Sequence, residues 1–196
     1  SNSLGYADSI NYFLNQKIDK SHQFIDWRKR PLSKKKLNYA SNDVRYLIQL
    51  YSVILDKLKE TGLDDNTIIV FTSDHGYHLG EHGHWQKQTL FDDSTRVPLI
   101  FSGPGVEKGV RSNSPVELID IYPTLMDLTE IETPSHVVGK SLKAIFNDPN
   151  YKVRESALTR WRASQHGNLN FSESGIQGYS IKTERYRLTK WGESGE

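Results

Sequence analysis

The chain has 196 residues, of which 36% are hydrophobic and 25% are charged, and its formal net charge is +1. This length can bury one good hydrophobic core with a small appended subdomain, and the balanced charge argues against a dedicated nucleic-acid-binding protein. No apolar run approaches the roughly 20 residues that span a bilayer, and residues 1–20 are too polar for a signal peptide. The sequence has no cysteine, which excludes disulfides, thiolate metal sites and a cysteine nucleophile in this chain.

The first 40 residues form an irregular N-terminal segment of open assignment. Apolar residues between Leu4 and Ile18 predict one short helix there. Residues 28–36 then carry six cations, a density that suits an anionic polymer such as nucleic acid or a sulfated glycan. A solvated surface turn around Pro31 explains the same run, and the near-neutral total charge favours that simpler interpretation.

A long helix and a buried strand are predicted next. Residues 41–43 can cap the helix and Gly62 fits its end, and apolar side chains recur between them at helical spacing. Residues 67–72 follow with five β-branched side chains and one phenylalanine. Such a run suits a strand that is covered on both faces, as in a parallel sheet.

Further elements complete an α/β pattern. A short helix is predicted at residues 89–95 and a strand at residues 97–102, where Pro98 argues for a sheet edge or a strand end. A helix at residues 117–129 contains Pro123, which implies a kink or a late start. The alternation of helices and strands indicates a layered α/β domain.

The pattern changes to short strands near the C-terminus. Residues 156–161, 179–183 and 186–191 each predict one strand, and the last two predict a hairpin. We therefore predict that residues 41–150 belong to an α/β sheet domain and that residues 151–196 form a small antiparallel β subdomain.

A candidate ligand site follows the predicted buried strand. Asp74 and His75 come directly after it, and open α/β sheets place ligands outside the carboxyl ends of their strands. A carboxylate beside an imidazole can bind a metal ion or act as an acid–base pair. The plainer alternative is a turn capped by Asp74 and a packed, polar His75. Gly76 lets the backbone turn sharply after them.

The loop after this pair is rich in glycine and histidine. Four histidines fall within residues 75–84, which suggests zinc. The glycines among them make a helix unfavourable, so the four-residue spacing of His78 and His82 has no helical meaning. Lys87 is better placed for function, because a cation near a metal can hold the remaining oxygens of a sulfate or phosphate. Without its sequence context, Lys87 would be interpreted as an ordinary exposed lysine.

These residues belong to a longer pattern, which reads Thr72-Ser73-Asp74-His75-Gly76, Leu79-Gly80-Glu81-His82-Gly83, Trp85, Lys87 and Arg96-Val97-Pro98-Leu99-Ile100. The pattern resembles the sulfatase family and is most similar to its iduronate-sulfatase-like branch. The resemblance implies part of an alkaline-phosphatase-like layered α/β sheet domain. Further matches lie at residues 118–125, 139–142, 178–183 and the pair Tyr186-Arg187. The resemblance covers residues 40–191 in order, whereas residues 1–38 match no part of the family pattern.

The resemblance implies roles by position. Asp74 and His75 resemble the family's second pair of divalent-metal ligands, usually for Ca²⁺, although an imidazole ligand by itself would favour Zn²⁺ or Mn²⁺. Lys87 resembles the lysine that binds the substrate sulfate, so Lys87 and His75 are the catalytic candidates. Tyr77 and His78 occupy the rim, where the family varies its substrate contacts, and they are the further substrate-binding candidates.

Two matched positions resemble structural residues of the family. Arg96 follows the predicted loop helix, and we expect it to tie that helix to the sheet. Asp120 falls within the helix predicted at residues 117–129, and we expect it to lie beneath the sheet.

Other parts of the family pattern are absent from this sequence. Sulfatases of this type use a formylglycine nucleophile made from a Cys/Ser-x-Pro-x-Arg motif, and none of the seven prolines stands in such a motif. The aspartate pair that supplies the other metal ligands is also missing. We therefore expect a C-terminal fragment, inactive by itself, of an exported (periplasmic or extracellular) or lysosomal-type enzyme whose N-terminal remainder supplies both. A degenerate homologue, or a missing half on a separate chain, are the alternatives.

Three functions stay open at this point. The favoured one is hydrolysis of a sulfate ester, with a sulfated small molecule or glycan as the substrate. A phosphate-ester hydrolase of the same superfamily would also place Asp-His-Gly after a strand, but Lys87 and the Leu-Gly-Glu-His-Gly string favour the sulfatase. A non-catalytic anionic-glycan-binding module that uses residues 28–36 would bind with a steep salt dependence and without Asp74.

Overall fold

The computed structural model describes residues 4–19, 31, 33–162 and 177–192. The chain divides into two compact units, Ser1–Thr67 and Ile68–Glu196. Residues 28–30 of the predicted cationic run lie outside the described residues, so a role for this run stays a prediction. Within the described ranges, no helix is both long and apolar enough to cross a bilayer.

The first unit is built from helices. It contains α1 (Tyr6–Leu14), α2 (Lys34–Arg45), α3 (Leu47–Glu60) and a 3₁₀ turn at Asp64–Asn66. α1 confirms the short helix predicted near the N-terminus, and it contacts α3. Ile10 of α1 and Leu50 of α3 are buried, so apolar burial stabilises these two helices.

The long helix predicted between residues 41–43 and Gly62 is present as α3, which begins at Leu47, and a separate helix, α2, precedes it. α2 starts directly after Ser33, whose hydroxyl accepts a hydrogen bond from the Lys36 amide at 3.4 Å. Ser41 lies inside α2, and its hydroxyl donates to the Asn38 carbonyl at 2.9 Å. The predicted cap was therefore wrong. Three successive lysines in the first turn oppose the helix dipole, which is why this stretch carried no helix signal.

Two short strands of the second unit pair with each other, β1 (Ile69–Thr72) and β2 (Leu99–Ser102). They are antiparallel, whereas the sequence predicted a strand of a parallel sheet. Phe71 is 52% exposed, so β1 is not covered on both faces in the part of the chain that the structure describes. The apolar residues 67–72 indicate that this strand can be buried, but they do not specify which strand pairs with it or whether the pairing is parallel or antiparallel.

The helices of this unit are short. α4 (Asp92–Thr95) confirms part of the helix predicted at residues 89–95. α5 (Ile121–Leu128) follows a 3₁₀ turn, and α6 (Lys143–Asn147), which was not predicted, contacts α5. Pro123 is the third residue of α5, where a missing backbone N–H leaves no helical hydrogen bond unmade. A late helix start therefore accommodates this proline.

The C-terminal part is a three-stranded antiparallel sheet in the order β3 (Ala157–Arg162), β4 (Gln177–Lys182) and β5 (Arg187–Trp191). β4 and β5 confirm the predicted hairpin. This sheet is the expected antiparallel subdomain, and together with the helices and the β1–β2 pair it makes the α/β class. The division of the chain into domains at residues 40 and 150 stays a prediction.

Candidate active site

A long loop, residues 73–98, joins β1 to β2. Thr72 pairs with Leu99 in the strand register, so both ends of the loop meet at the same end of the β1–β2 pair. Asp74 and His75 lie at the start of the loop, directly after β1. The strand pair therefore fixes where these two side chains leave the sheet.

Three of the predicted site residues converge in this loop. The Lys87 Nζ atom lies 2.6 Å from Nε2 of His75, and the same Nε2 lies 3.5 Å from a carboxylate oxygen of Asp74. The Asp74 side chain is 83% exposed and that of His75 is 35% exposed, so the cluster opens to solvent. A carboxylate, an imidazole and an ammonium group thus meet at the surface.

The hydrogen bonds of His75 decide which ring nitrogen can bind a ligand. Nδ1 lies 2.8 Å from the carbonyl oxygen of Gly76. Since a carbonyl oxygen only accepts, Nδ1 carries the proton and Nε2 keeps its lone pair, which accepts from Lys87. In metal sites, a backbone carbonyl that accepts from the other ring nitrogen commonly fixes the tautomer and the orientation of a metal-binding histidine.

Asp74 and His75 fit part of a divalent-metal shell. The Asp74 carboxylate oxygen and His75 Nε2 are 3.5 Å apart, which lets both reach one ion through bonds of about 2.0–2.5 Å. No group of three or more histidine, cysteine, aspartate or glutamate side chains that could hold a metal ion occurs among the residues the structure describes, so a full shell needs further ligands. Nε2 has one lone pair, so a metal ion and the Lys87 ammonium would compete for it.

Gly76 is required by close packing rather than by the predicted sharp turn. A Cβ atom at this position would lie 2.0 Å from the carbonyl oxygen of Asp93. The Gly76 amide donates to the Ser94 carbonyl at 2.8 Å. Both partners belong to α4, so this close backbone approach holds the start of the loop against that helix.

The middle of the loop folds back on itself. The His78 amide donates to the Gln86 carbonyl at 3.0 Å, and the Tyr77 hydroxyl donates to the Trp85 carbonyl at 2.9 Å. Tyr77 is 50% exposed. Its role in substrate binding stays a prediction, and its exposed ring is compatible with that role.

His78 lies elsewhere than predicted. Its side chain is fully buried, with Nε2 2.7 Å from the Thr89 hydroxyl and Nδ1 3.2 Å from the Glu81 carbonyl. The Thr89 hydroxyl in turn lies 2.9 Å from the Ser94 hydroxyl. The predicted place of His78 on the exposed rim was therefore wrong, because this ring holds the loop and α4 together.

The His82 and His84 rings pack against Phe91. The His82 ring stacks on it with centroids 4.1 Å apart, and His84 approaches it at 6.2 Å. The Asp93 carboxylate lies 3.9 Å from ring nitrogens of both His78 and His82. These side chains form an aromatic cluster that packs the loop against the segment before α4.

Arg187 of β5 fastens the segment that follows Lys87, and sequence reasoning missed this role. Its Nη1 atom donates to the Leu90 carbonyl at 2.7 Å. Its Nη2 atom donates to the Asp92 carboxylate and, at 2.9 Å, to the Thr95 hydroxyl. The only sequence signal was the family match at residues 186–187, which carried no information about the partners.

Asp92 receives a second cation from the same hairpin, since Lys182 donates to it at 3.0 Å. Burial alone would raise the pKa of Asp92, but the hydrogen bonds and charges of Lys182 and Arg187 outweigh it and hold the pKa below its ordinary value. The tie between loop helix and sheet that we predicted for Arg96 is thus made by Arg187, whereas Arg96 is exposed.

A second arginine network surrounds Asp120. This residue is fully buried, and Arg154 donates to its carboxylate and, at 2.7 Å, to Glu117. The Lys140 amide also donates to Asp120 at 2.9 Å. Asp120 therefore has a structural role, as we predicted, but it lies in the 3₁₀ turn before α5 and not within that helix. It joins this turn to the segment before β3, and its predicted place beneath the sheet stays a prediction.

The fold and the site define the class of protein: an alkaline-phosphatase-like α/β chain with a carboxylate, an imidazole and an ammonium group at a strand end. Residues 7–131 match the family model described as Sulfatase, and residues 80–196 match the model described as N-sulphoglucosamine sulphohydrolase, C-terminal. The chain belongs to the sulfatase family. The match begins at residue 7, so the family pattern covers more of the N-terminal segment than its motifs indicated.

Known relatives agree with this assignment. Iduronate 2-sulfatase of Homo sapiens is 32% identical in an alignment that covers 76% of this chain and 36% of that protein. The solved structure of a 2-O GAG sulfatase has a TM-score of 0.63 at 26% identity, over 75% of this chain and 32% of that chain. The phosphonate monoester hydrolase of Silicibacter pomeroyi has a TM-score of 0.58 at 28% identity, over 76% and 33%. The chain spans well under half the length of each of these relatives.

Proposed function

We propose that residues 73–98 form one arm of the active site of a sulfatase that hydrolyses sulfate esters on a sugar or glycan. The observation that carries the proposal is the convergence of Asp74, His75 and Lys87, in which Lys87 Nζ lies 2.6 Å from His75 Nε2. Family membership supports the reaction class, and similarity to a 2-O GAG sulfatase supports a glycan substrate.

Lys87 would bind the sulfate group. A sulfate ester carries a delocalised negative charge, and more charge develops on the leaving oxygen as the S–O bond breaks. An ammonium group that is already in place stabilises this charge more in the transition state than in the ground state. The exposed position of Lys87 leaves it accessible to a substrate from solvent.

Asp74 and His75 would hold a divalent metal ion, for which the family resemblance favours Ca²⁺ over Zn²⁺ or Mn²⁺. When bound, such an ion would polarise the sulfate and stabilise an oxyanion. The formylglycine nucleophile and the other metal ligands would come from an N-terminal remainder of the protein, which the partial coverage of its relatives supports. This chain alone would then be inactive.

Tyr77 is our candidate for contact with the sugar, because its ring is exposed while its hydroxyl is held by the loop backbone. An aromatic ring fixed in this way presents a flat apolar surface with little entropy to lose. By family resemblance, we place the whole enzyme in an exported (periplasmic or extracellular) or lysosomal-type compartment.

Substitution of Lys87 or Asp74 in the full-length protein tests the proposal. We expect Lys87→Ala to lower kcat for 4-nitrophenyl sulfate by about 10²–10³-fold, the cost of one lost contact to a developing anion. We expect Asp74→Asn to abolish activity that depends on added Ca²⁺, because the variant lacks a charged oxygen ligand. Wild-type activity in either variant would remove that residue from the site.

Lys108→Ala and Asp65→Asn are matched controls. Both replace exposed side chains of the same types outside the loop. They should keep the wild-type kcat and thermal midpoint. If they lose as much activity as the site variants, the losses reflect general surface charge and not the proposed roles.

Hydrolysis of a phosphorus ester is the second candidate, because the similarity extends to a phosphonate monoester hydrolase. Both kinds of ester present anionic oxygens to a metal ion and a lysine. We therefore compare kcat/KM of the full-length protein for 4-nitrophenyl sulfate, 4-nitrophenyl phosphate and 4-nitrophenyl phenylphosphonate. The highest value for the sulfate ester supports our proposal, and a higher value for either phosphorus ester supports the second candidate.

A further inference from the structure

The segment formed by residues 87–95 lies between the β4–β5 hairpin and the earlier part of the loop, residues 73–86, which carries the predicted metal ligands. On the loop side, the Thr89 hydroxyl contacts His78 Nε2 at 2.7 Å, and the Ser94 carbonyl accepts from the Gly76 amide at 2.8 Å. On the other side, the segment is fastened to the hairpin. The segment thus connects the hairpin to the predicted metal ligands.

Leu90 is fastened to the hairpin at two points. Its side chain is 3% exposed and lies so close to Gly178 that a Cβ atom there would be 2.7 Å from the Leu90 Cδ1 atom. Its carbonyl oxygen accepts from Arg187 Nη1 at 2.7 Å. A larger residue at position 178 would displace Leu90. The absence of a side chain at Gly178 therefore leaves space in β4 for the Leu90 side chain.

Arg187 is itself held in place. Nη1 also donates to the hydroxyl of Ser180 at 2.7 Å, and Ser180 is fully buried. Nη2 bridges Asp92 and Thr95, and the Arg187 side chain is only 18% exposed. A planar guanidinium with this many occupied donors leaves Leu90 and Asp92 little freedom to move.

Lys87 lies at the N-terminal end of this fastened segment. The Thr89 amide donates to the Lys87 carbonyl at 2.9 Å, so a tight turn links Lys87 to Leu90. The lysine side chain is long and flexible. The fastened backbone at Leu90 therefore sets the direction in which Lys87 leaves the chain toward His75.

We propose that Arg187 is a positioning residue: by fastening Leu90 and Asp92, it places the Lys87 side chain beside His75, within reach of a sulfate group at the proposed metal site. The proposal rests on the function proposed for Lys87, but it makes a separate statement about where Lys87 lies. Arg187 contacts Leu90, Asp92 and Thr95 of the segment and Ser180 of its own hairpin, so its effect on Lys87 passes through residues 87–95.

NMR spectroscopy of the 196-residue chain tests the placement without any need for turnover. We expect nuclear Overhauser effects between the Lys87 methylene protons and the His75 ring in the wild type and their loss in Arg187→Gln. Arg187→Lys keeps a charge near Asp92 but cannot also hold Leu90, so it should lose them even if Arg187→Gln fails to fold. Wild-type effects in a folded Arg187→Lys variant would overturn the proposal.

Arg154→Gln is the matched control. Arg154 is 14% exposed and bridges Glu117 and Asp120, and both Arg154 and Arg187 bury an Nε atom that has no hydrogen-bond partner among the described residues. We expect a lower thermal midpoint with unchanged contacts between Lys87 and His75. Loss of these contacts in the control as well would indicate a general effect of lower stability and would overturn the proposal.

A double-mutant cycle in the full-length protein adds a readout that a purely structural role would not move. We expect Arg187→Gln to lower kcat/KM for 4-nitrophenyl sulfate by about 100-fold, the effect of displacing a group by about 1 Å. In the Lys87→Ala background the same change should cost no more than about twofold, because the residue that it aims is gone. Equal losses in both backgrounds would overturn the proposal. Unchanged turnover in Lys87→Ala alone would instead overturn the sulfate role of Lys87 and leave its placement standing.

Discussion

His75 and His78 lie three residues apart in one loop, yet their rings meet different surroundings. His75 faces solvent beside Lys87, with its Nδ1 proton held by a backbone carbonyl. His78 is enclosed by Thr89 and Glu81. The first ring is therefore available to a ligand, and the second is part of the support of the loop.

We predict that His78→Ala destabilises the chain by about 1–3 kcal/mol, because it opens a cavity and removes a partner of the partly buried Thr89 hydroxyl. Urea unfolding at neutral pH measures the free energy of unfolding. His136→Ala, at an exposed position, should change it by less than about 0.5 kcal/mol. Equal effects of the two substitutions would show that the His78 contacts contribute nothing to stability.

At the residue scale, the sequence predicted the chemical roles of individual side chains better than it predicted their positions in the structure. Asp74 and His75 stood out because they follow a strand, and Lys87 because a cation near a metal has a chemical use. The burial of His78 depends on the loop folding back so that its amide reaches Gln86. The residue types of His78 and Gln86 do not predict that their backbones form this hydrogen bond.

Among the elements, the β4–β5 hairpin has a double role. It forms most of the C-terminal sheet, and it fastens the segment before α4 through Lys182 and Arg187. The alternating pattern of the strands predicted the hairpin itself. Its attachment to Asp92 was not predictable, because that attachment joins residues that are far apart along the chain.

The ion pairs of Asp92 predict a loss of stability in acid. Its folded pKa lies below the ordinary value of 3.8, so its contribution is complete above that value and is lost as the pH falls through the folded pKa. We expect the urea midpoint to fall as the pH drops below about 4, and the fall to be smaller in Asp92→Asn. The Ser141 hydrogen bond and Lys143 also lower the pKa of Asp127, but Asp127 is present in both proteins. The same pH dependence in both would contradict the role of Asp92.

At the scale of the whole molecule, the C-terminal unit presents two candidate metal ligands without a full coordination shell. Asp74 and His75 supply one carboxylate and one imidazole, and the described residues add no third ligand of these types beside them. The relatives extend well beyond the matched length. A site assembled from this arm and a further part of the protein is the simplest arrangement that agrees with both observations.

We therefore predict that the isolated 196-residue chain does not hydrolyse 4-nitrophenyl sulfate in the presence of Ca²⁺, whereas the full-length protein does. The physical reason is that, in the proposed mechanism, the nucleophile and the other metal ligands would come from an N-terminal remainder of the protein. Turnover by the isolated chain that disappears in Asp74→Asn would contradict the prediction. Residual turnover that survives Asp74→Asn would point to a contaminating hydrolase.

The sequence by itself determined the family, the class of fold, the C-terminal hairpin and the identity of Asp74, His75 and Lys87 as site candidates. Each of these depends on residue type, on short-range periodicity or on a string of neighbouring residues. Such information is local, and it survives without knowledge of the tertiary contacts.

Only the tertiary structure decided that β1 pairs antiparallel with β2, that His78 is buried and that Arg187 fastens the segment after Lys87. These properties depend on contacts between distant parts of the chain: Arg187 and Leu90 are separated by 97 positions. Burial and pairing arise from many such contacts formed together, and no local pattern specifies which ones form.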